Sequence, residues 1–149
     1  MIVEVQVTIN ASRTAVWNTI TNIEKAAEFI SGIEKIEVVK KLETGLVGFK
    51  WRETRMYFGK PATVEIWITD SVENEYYKTR AESDGYLFLS TMSISESSDG
   101  ITLTSTHDYK PQSAVAKLKS MSMVFFKGMI KKTLLQDLMN IKSAVERGE

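Results

Sequence analysis

One amphipathic stretch, residues 113–147, limits what this chain can fold into more than any other feature. It contains no proline, and Gly128 is its only interior glycine. Apolar residues recur along it at spacings of three and four: Leu118, Met121, Phe125, Leu134, Leu138, Ile141 and Val145. The pattern predicts one long C-terminal helix with Ser113 as its N-cap. Such a helix is stable only when its apolar face lies on another part of the protein.

The residues before this helix have the alternation of β-strands. Valine and isoleucine at positions 3, 5, 7 and 9 alternate with polar residues, which predicts a half-buried strand. Two short helices are expected next, the first after Ser12 and the second ending near Ile30. Six further strands are predicted between residues 33 and 109, where Asp84-Gly85 is a strong hairpin signal. The order predicts an α+β fold for one domain, 1–149: a curved antiparallel sheet of seven strands beneath the helix.

Composition excludes several classes of function. The 149 residues include 19 basic and 19 acidic ones, and no basic patch is evident, so we expect no nucleic-acid partner. With no cysteine and a single histidine, we expect no metal site and no cofactor. No apolar run is long enough to span a membrane, and the first ten residues resemble a strand rather than a signal peptide. These features predict a cytoplasmic monomer or homodimer.

The predicted hairpins determine which side chains share a face of the sheet. A turn at Gly59 pairs residues 49–58 with residues 62–72 and directs odd positions of the first strand inward. A turn at Asp84-Gly85 and another at Asp99-Gly100 arrange the following strands, with Ile94 opposite Ser105 and Met92 opposite His107. The inward residues predicted in this way include Trp51, Glu53, Arg55, Ile66, Phe88, Ser90, Met92, Ser105, His107 and Tyr109.

Polar side chains on this inward face need an explanation. Two buried charges, Glu53 and Arg55, cost several kcal/mol each unless they are paired. They form either a structural ion pair or a polar site in a wet cavity. His107 is either a satisfied core residue or a titrating catalyst. Because unpaired buried polar groups are costly, the mixture of polar and aromatic side chains favours a cavity over a solid core.

The predicted helix supplies the other wall of that cavity. Met121 and Met129 flank Phe125, and methionine adapts to variable apolar partners. We therefore expect Phe125 to act as a lid residue over the cavity. Leu138, further along the same stripe, is expected to pack in solid core against the first strand and the short helices.

Several stretches resemble a known family: Ile9-Asn10-Ala11-Ser12 with Val16-Trp17, Gly48 through Arg55, Gly59-Lys60, and Asp137-Leu138 through Lys142. Together with the order of elements, they resemble the SRPBCC, or START-like, superfamily with its helix-grip fold. The resemblance is stronger to the bacterial members of the polyketide cyclase/dehydrase type. It covers the whole chain and implies a deep cavity between the sheet and the C-terminal helix. Members of this superfamily differ widely in function, so the resemblance implies the fold more than the activity.

Three functional hypotheses follow. The first is a protein that binds a small, mostly apolar ligand, lipid-like or polycyclic and aromatic, in a cavity of roughly a few hundred Å³. A carbonyl or carboxylate of this ligand would meet Arg55 or His107. The predicted ligand-binding residues are Trp51, Glu53, Arg55, Ile66, Phe88, Ser90, Met92, His107, Met121, Phe125 and Met129.

The second hypothesis is a metal-free polyketide cyclase, aromatase or dehydratase, with Glu53 or His107 as base and Arg55 or Tyr109 as donor. The third is an interaction module resembling a chaperone co-factor, which would expose an apolar patch outside the cavity, with Trp67 as a candidate member.

Overall fold

All the strands belong to one sheet. The computed structural model describes residues 1–148, and in it seven antiparallel strands form a curved sheet in the order β1-β7-β6-β5-β4-β3-β2. The predicted fold class is confirmed. The strands are β1 (Ile2–Ile9), β2 (Ile33–Lys40), β3 (Lys50–Tyr57), β4 (Lys60–Val72), β5 (Tyr76–Ser83), β6 (Tyr86–Ser97) and β7 (Gly100–Pro111).

The helices form two groups in the chain, one after β1 and one after β7. After β1 come α1 (Arg13–Ile20), a 3₁₀ turn (Ile23–Lys25) and α2 (Ala26–Phe29); after β7 come α3 (Ala114–Met123), a second 3₁₀ turn (Val124–Phe126) and α4 (Lys127–Glu146). Ser113 caps α3 as predicted, because its hydroxyl accepts a hydrogen bond from the amide of Ala116 at 3.0 Å.

The C-terminal helix is not continuous, which corrects the prediction of one long helix. It is interrupted at Val124–Phe126, a turn that contains no buried residue. The physical reason is that helical propensity needs support from packing, and packing is found only on either side of this turn. Ala116 of α3 is buried and its carbonyl accepts a hydrogen bond from Tyr86, and α4 has buried side chains from Leu138 onward. Gly128 follows the break, and a Cβ added there would meet nothing within 4 Å, so close approach to the sheet does not explain this glycine.

The solid core lies under the second half of α4. Leu138, Ile141 and Val145 are buried there among residues of β1, α1 and β7. Leu138 is only 1% exposed, as predicted for a core residue, but it also borders the cavity, which the prediction had placed earlier along the helix. The open part of the fold lies between the sheet, the α1–α2 segment and the middle of α4, where Leu134, Asp137, Leu138 and Ile141 border it.

Two of the three predicted hairpins have the expected register. Trp51 lies opposite Ile66 in the first, and Thr79 lies opposite Ser90 in the second. The third turn differs: β6 and β7 meet at Ser97 and Gly100, so Ser98 and Asp99 form the loop.

The pairs in this third hairpin are consequently shifted by two residues, with Ser90 opposite His107, Met92 opposite Ser105 and Ile94 opposite Leu103. A shift of two preserves the face of every side chain, because the side-chain period of a strand is two.

Candidate functional site

A cavity of about 150 Å³ lies between the inward face of the sheet, the α1–α2 segment and α4. It is smaller than the few hundred Å³ expected. One part of its wall is apolar, with Ile20, Ile30, Ile33, Trp51, Ile66, Met92, Leu134, Leu138 and Ile141. The other part is polar, with Glu53, Arg55, Thr79, Ser90, Ser105, His107 and Asp137. An apolar space with a few convergent polar groups is typical of a small-molecule site.

An ionic cluster occupies the polar part of the wall. Arg55 Nε donates to Glu53 Oε2 at 2.8 Å, while Nη1 and Nη2 donate to the two carboxylate oxygens of Asp137 at 3.2 and 2.8 Å. The indole N–H of Trp51 donates to the second oxygen of Glu53 at 3.3 Å. The three charged side chains are 14–17% exposed. Glu53 and Arg55 thus form a buried ion pair that is also part of the cavity wall.

The cluster contains one carboxylate more than it has cations. Glu53, Arg55 and Asp137 together carry a formal charge of −1 when all three are ionised. Burial raises the pKa of Asp137, although the Arg55 guanidinium opposes this effect. Burial would lower the pKa of Arg55, but both carboxylates outweigh it and raise that pKa. The guanidinium is therefore a permanent cation that is paired with both neighbouring carboxylates.

A second polar group lies on β5, β6 and β7, which β4 separates from β3 in the sheet. Ser105 Oγ and His107 Nε2 are 2.7 Å apart, with donor and acceptor decided by the tautomer of the imidazole. Ser90, opposite His107 in the register, shares a short hydrogen bond with Thr79. Burial, and then the positive charge of Arg55, lower the pKa of His107 to about 4. The imidazole is therefore neutral at neutral pH.

The structure brings seven of the predicted ligand-binding residues to the cavity wall and leaves four outside it. The seven are Trp51, Glu53, Arg55, Ile66, Ser90, Met92 and His107. Phe88 does not line the cavity; its ring lies 5.9 Å from that of Tyr86 and 5.6 Å from that of Tyr109. Tyr109, the candidate hydrogen-bond donor, also lies outside the wall, and burial raises its pKa to about 12.

Met121, Phe125 and Met129 are the other predicted residues outside the cavity. They lie at the α3–α4 junction and are largely exposed, with Phe125 at 88%. The prediction that Phe125 covers the cavity is therefore wrong. At the helix break Phe125 faces solvent, while the neighbouring Phe126 contacts the tip of the β3–β4 hairpin, its ring centre 6.4 Å from that of Phe58.

Asp137 is the site residue that the sequence reasoning missed. A signal was present, because Asp137 follows Leu134 by three residues and precedes Leu138 directly, within the apolar stripe of α4. An acidic residue in such a stripe faces the interior, and it then needs a buried cation as partner. Arg55 is that cation.

The third hypothesis predicts an exposed apolar patch outside the cavity, with Trp67 as a candidate member. Trp67 is half-buried, and the ammonium group of Lys50 lies 5.2 Å from the centre of its ring. Apolar side chains are instead exposed around the α3–α4 junction. Within residues 1–148, no group of histidine and acidic side chains is arranged to hold a metal ion. No helix in the same part of the chain is long and apolar enough to cross a membrane.

Known proteins have the same architecture. The model of a family described as "Polyketide cyclase / dehydrase and lipid transport" matches residues 1–146. TTHA0849 from Thermus thermophilus is 15% identical with a TM-score of 0.80, over 100% of this chain and 99% of that one. Zhui aromatase/cyclase from Streptomyces sp. R1128 is 19% identical with a TM-score of 0.80, over 99% and 94%.

A third solved structure, Ara h 8.0201, is 14% identical with a TM-score of 0.68, over 99% of this chain and 98% of that chain. At these identities the likeness establishes the fold alone. No curated protein matches the chain significantly.

Proposed function

The chain belongs to the polyketide cyclase/dehydrase and lipid transport family, and from this premise we propose that it binds a small, mostly apolar, uncharged ligand in the cavity beneath α4. The observation that carries the proposal is the cavity itself, whose apolar wall ends at two groups of polar side chains. This combination allows an apolar group to be buried while one polar atom is held in a fixed place.

The volume limits the part of the ligand that is enclosed. About 150 Å³ is the size of an engineered cavity that takes up benzene. The buried portion would accordingly be one aromatic ring or a short hydrocarbon chain. A lipid-like or polycyclic ligand would place only one end in the cavity.

The charge of the cavity wall supports a neutral ligand over an acid. Both edges of the Arg55 guanidinium are engaged, by Glu53 and by Asp137. A carboxylate entering the cavity would add a second uncompensated negative charge in a partly buried space, which is unfavourable. A ligand carboxylate is therefore not expected to meet Arg55, in contrast to the prediction from the sequence. A hydroxyl group fits better, because it can donate to a carboxylate oxygen or to the neutral imidazole of His107.

Thermal unfolding with matched pairs of compounds tests the proposal. Phenol and 1-octanol should raise the melting temperature, since a ligand that binds only the folded state stabilises it. Benzoate and octanoate should give smaller shifts or none. Ile66→Trp, which places a larger side chain in the cavity wall, should abolish the shift with phenol. The same shift in this variant and in the original protein would contradict binding in the cavity.

A second candidate function is catalysis of the cyclase or dehydratase type. It is favoured by the raised pKa of Asp137 and the neutral state of His107, because a proton acceptor and a hydrogen-bonding group then line one cavity. A general base works best with a pKa near the operating pH, so His107, with a pKa of about 4, is a weak base. Its role in such a reaction would be to form a hydrogen bond rather than to take up a proton.

Incubation with a linear poly-β-ketone would test this candidate through the absorbance of an aromatic product. The expected result is ring formation that Asp137→Asn abolishes. Ring formation no faster than without protein would contradict an enzyme of this kind.

A further inference from the structure

An apolar surface is exposed where α3 meets α4. We define the junction surface by six side chains that are 46–88% exposed: Leu118, Met121, Val124, Phe125, Phe126 and Met129. Leu118, Met121, Phe125 and Met129 follow one another at spacings of three and four, and Val124 and Phe126 widen this apolar surface on either side of Phe125. Contiguous apolar surface of this kind on a folded chain indicates contact with another phase or molecule.

The tip of the β3–β4 hairpin extends this junction surface. Phe58 is 84% exposed, and its ring centre lies 6.4 Å from that of Phe126 in an edge-to-face arrangement. Its backbone φ is 51°, followed by 79° at Gly59. Tight hairpins of this geometry favour Asn or Gly at the first position, and bulky residues rarely adopt it. The chain thus presents a large apolar ring where both backbone strain and water exposure oppose it.

Every charged residue of the segment that forms the junction surface, residues 111–136, is a lysine. Lys117, Lys119, Lys127, Lys131 and Lys132 are all exposed, and none pairs with a carboxylate among residues 1–148. No acidic residue occurs in residues 109–136, although the whole chain has equal numbers of acidic and basic residues. This segregation produces a local positive potential next to exposed aromatic and methionine side chains.

We propose that the junction surface docks on an anionic lipid bilayer. The apolar side chains would enter the boundary between headgroups and acyl chains, while the lysines would contact lipid phosphates. Exposed apolar side chains flanked by lysines are the combination that interfacial helices use. A second copy of the chain is a poorer occupant, because a two-fold interface would bring the same lysines against one another.

The docking surface adjoins the cavity. Tyr57, next to the hairpin tip, lies on the same face of β3 as Arg55, two residues away. A protein docked in this way would hold the polar end of its cavity close to the bilayer. Exchange of a ligand between bilayer and cavity rests on the function proposed above, whereas docking itself does not.

Co-sedimentation with vesicles tests the docking, with the full chain and without added ligand. The protein should sediment with phosphatidylcholine/phosphatidylglycerol vesicles, much less with phosphatidylcholine vesicles, and less as salt is added. The double variant Lys127→Glu/Lys131→Glu should weaken binding at least about tenfold.

Lys25→Glu/Lys40→Glu is the matched control. Both lysines are exposed, and Lys40 pairs with Lys50, at the end of β3 opposite the hairpin tip. This variant should bind the vesicles as the original protein does.

Phe58→Asn separates docking from folding. Asn suits the backbone conformation at this position, so the variant should melt no lower than the original protein while binding vesicles less tightly. The proposal is overturned by no sedimentation with anionic vesicles, by equal binding to both kinds of vesicle, or by an equal loss in the control.

It is also overturned if the chain self-associates and the Lys127/Lys131 variant abolishes that association, which would assign the surface to a second copy. Because phenol-induced thermal shifts are measured without lipid, failure of docking and failure of ligand binding are distinguishable.

Discussion

Arg55 on β3 and Asp137 on α4 are joined by two parallel hydrogen bonds, of 3.2 and 2.8 Å, across the wall of the cavity. The residues are 82 positions apart in the chain. Their contact ties the helix to the sheet where the helix leaves the packed core. The space beside this contact is the cavity, so the pair determines both its position and its charge.

Removing Arg55 and removing Asp137 should lower the stability of the protein by different amounts. Arg55→Met leaves two buried carboxylates without a cation and should destabilise the protein by about 3–5 kcal/mol. Asp137→Asn leaves Arg55 paired with Glu53 and should cost less, about 1–2 kcal/mol. Urea denaturation of the two variants measures both values at neutral pH. Equal losses, or a larger loss for Asp137→Asn, would contradict a cluster that carries one excess negative charge.

Truncations along the C-terminal stretch should separate its two parts. Leu138→Ala removes a fully buried side chain and should cost about 2–5 kcal/mol. Phe125→Ala removes a side chain that is 88% exposed and should change stability by no more than about 0.5 kcal/mol. Guanidinium denaturation measures the difference. A loss of several kcal/mol for Phe125→Ala would mean that the junction packs on the sheet.

Leu138 and Phe125 show which parts of the fold could be predicted from the sequence alone. Alternation and turn signals were sufficient for the seven strands and for the face of each side chain, because both depend on local geometry. The apolar spacing that includes Leu138 and Phe125 is the same throughout, so it predicted one continuous buried face. Whether the sheet extends beneath the whole stripe depends on tertiary packing, which local periodicity does not encode.

The site was predicted in part for a related reason. Glu53 and Arg55 stood out because they alternate with apolar residues on a strand. Their relation to Asp137 depends on how α4 crosses the sheet, a long-range contact that neither segment reveals by itself. The charge of the cavity, and with it the preference for a neutral ligand, therefore became apparent only in three dimensions.

The single histidine offers a direct probe of the cavity. Burial and the nearby Arg55 lower the pKa of His107 from 6.5 to about 4. Proton NMR of the imidazole should show this titration midpoint without interference from other histidines. Between these two pH values the unfolded chain binds more protons at this residue, so its contribution to stability falls as the pH decreases.

His107→Gln supplies the control for this titration. It should remove that part of the pH dependence, while the opposite contribution of Asp137, whose pKa is raised, is retained in both proteins. A midpoint near 6.5 would show that the imidazole is exposed to water.

The hairpin tip should tolerate substitution unusually well. Phe58→Asn relieves a positive φ of 51° at a bulky residue and should raise the free energy of unfolding by about 1 kcal/mol. Thermal or urea denaturation checks this, with Asp84→Asn as control because Asp84 has a similar φ of 49° but no bulky side chain. A clear loss of stability in Phe58→Asn would show that the contact with Phe126 outweighs the strain.

The most direct test of ligand binding is a crystal structure of the protein soaked with 4-bromophenol. The anomalous signal of bromine marks the position of the ring without ambiguity. The account predicts a bromine peak inside the cavity, with the phenol oxygen within hydrogen-bonding distance of Asp137 or His107. A cavity without a peak, in crystals where bromine is seen only on the surface, would contradict the proposed function.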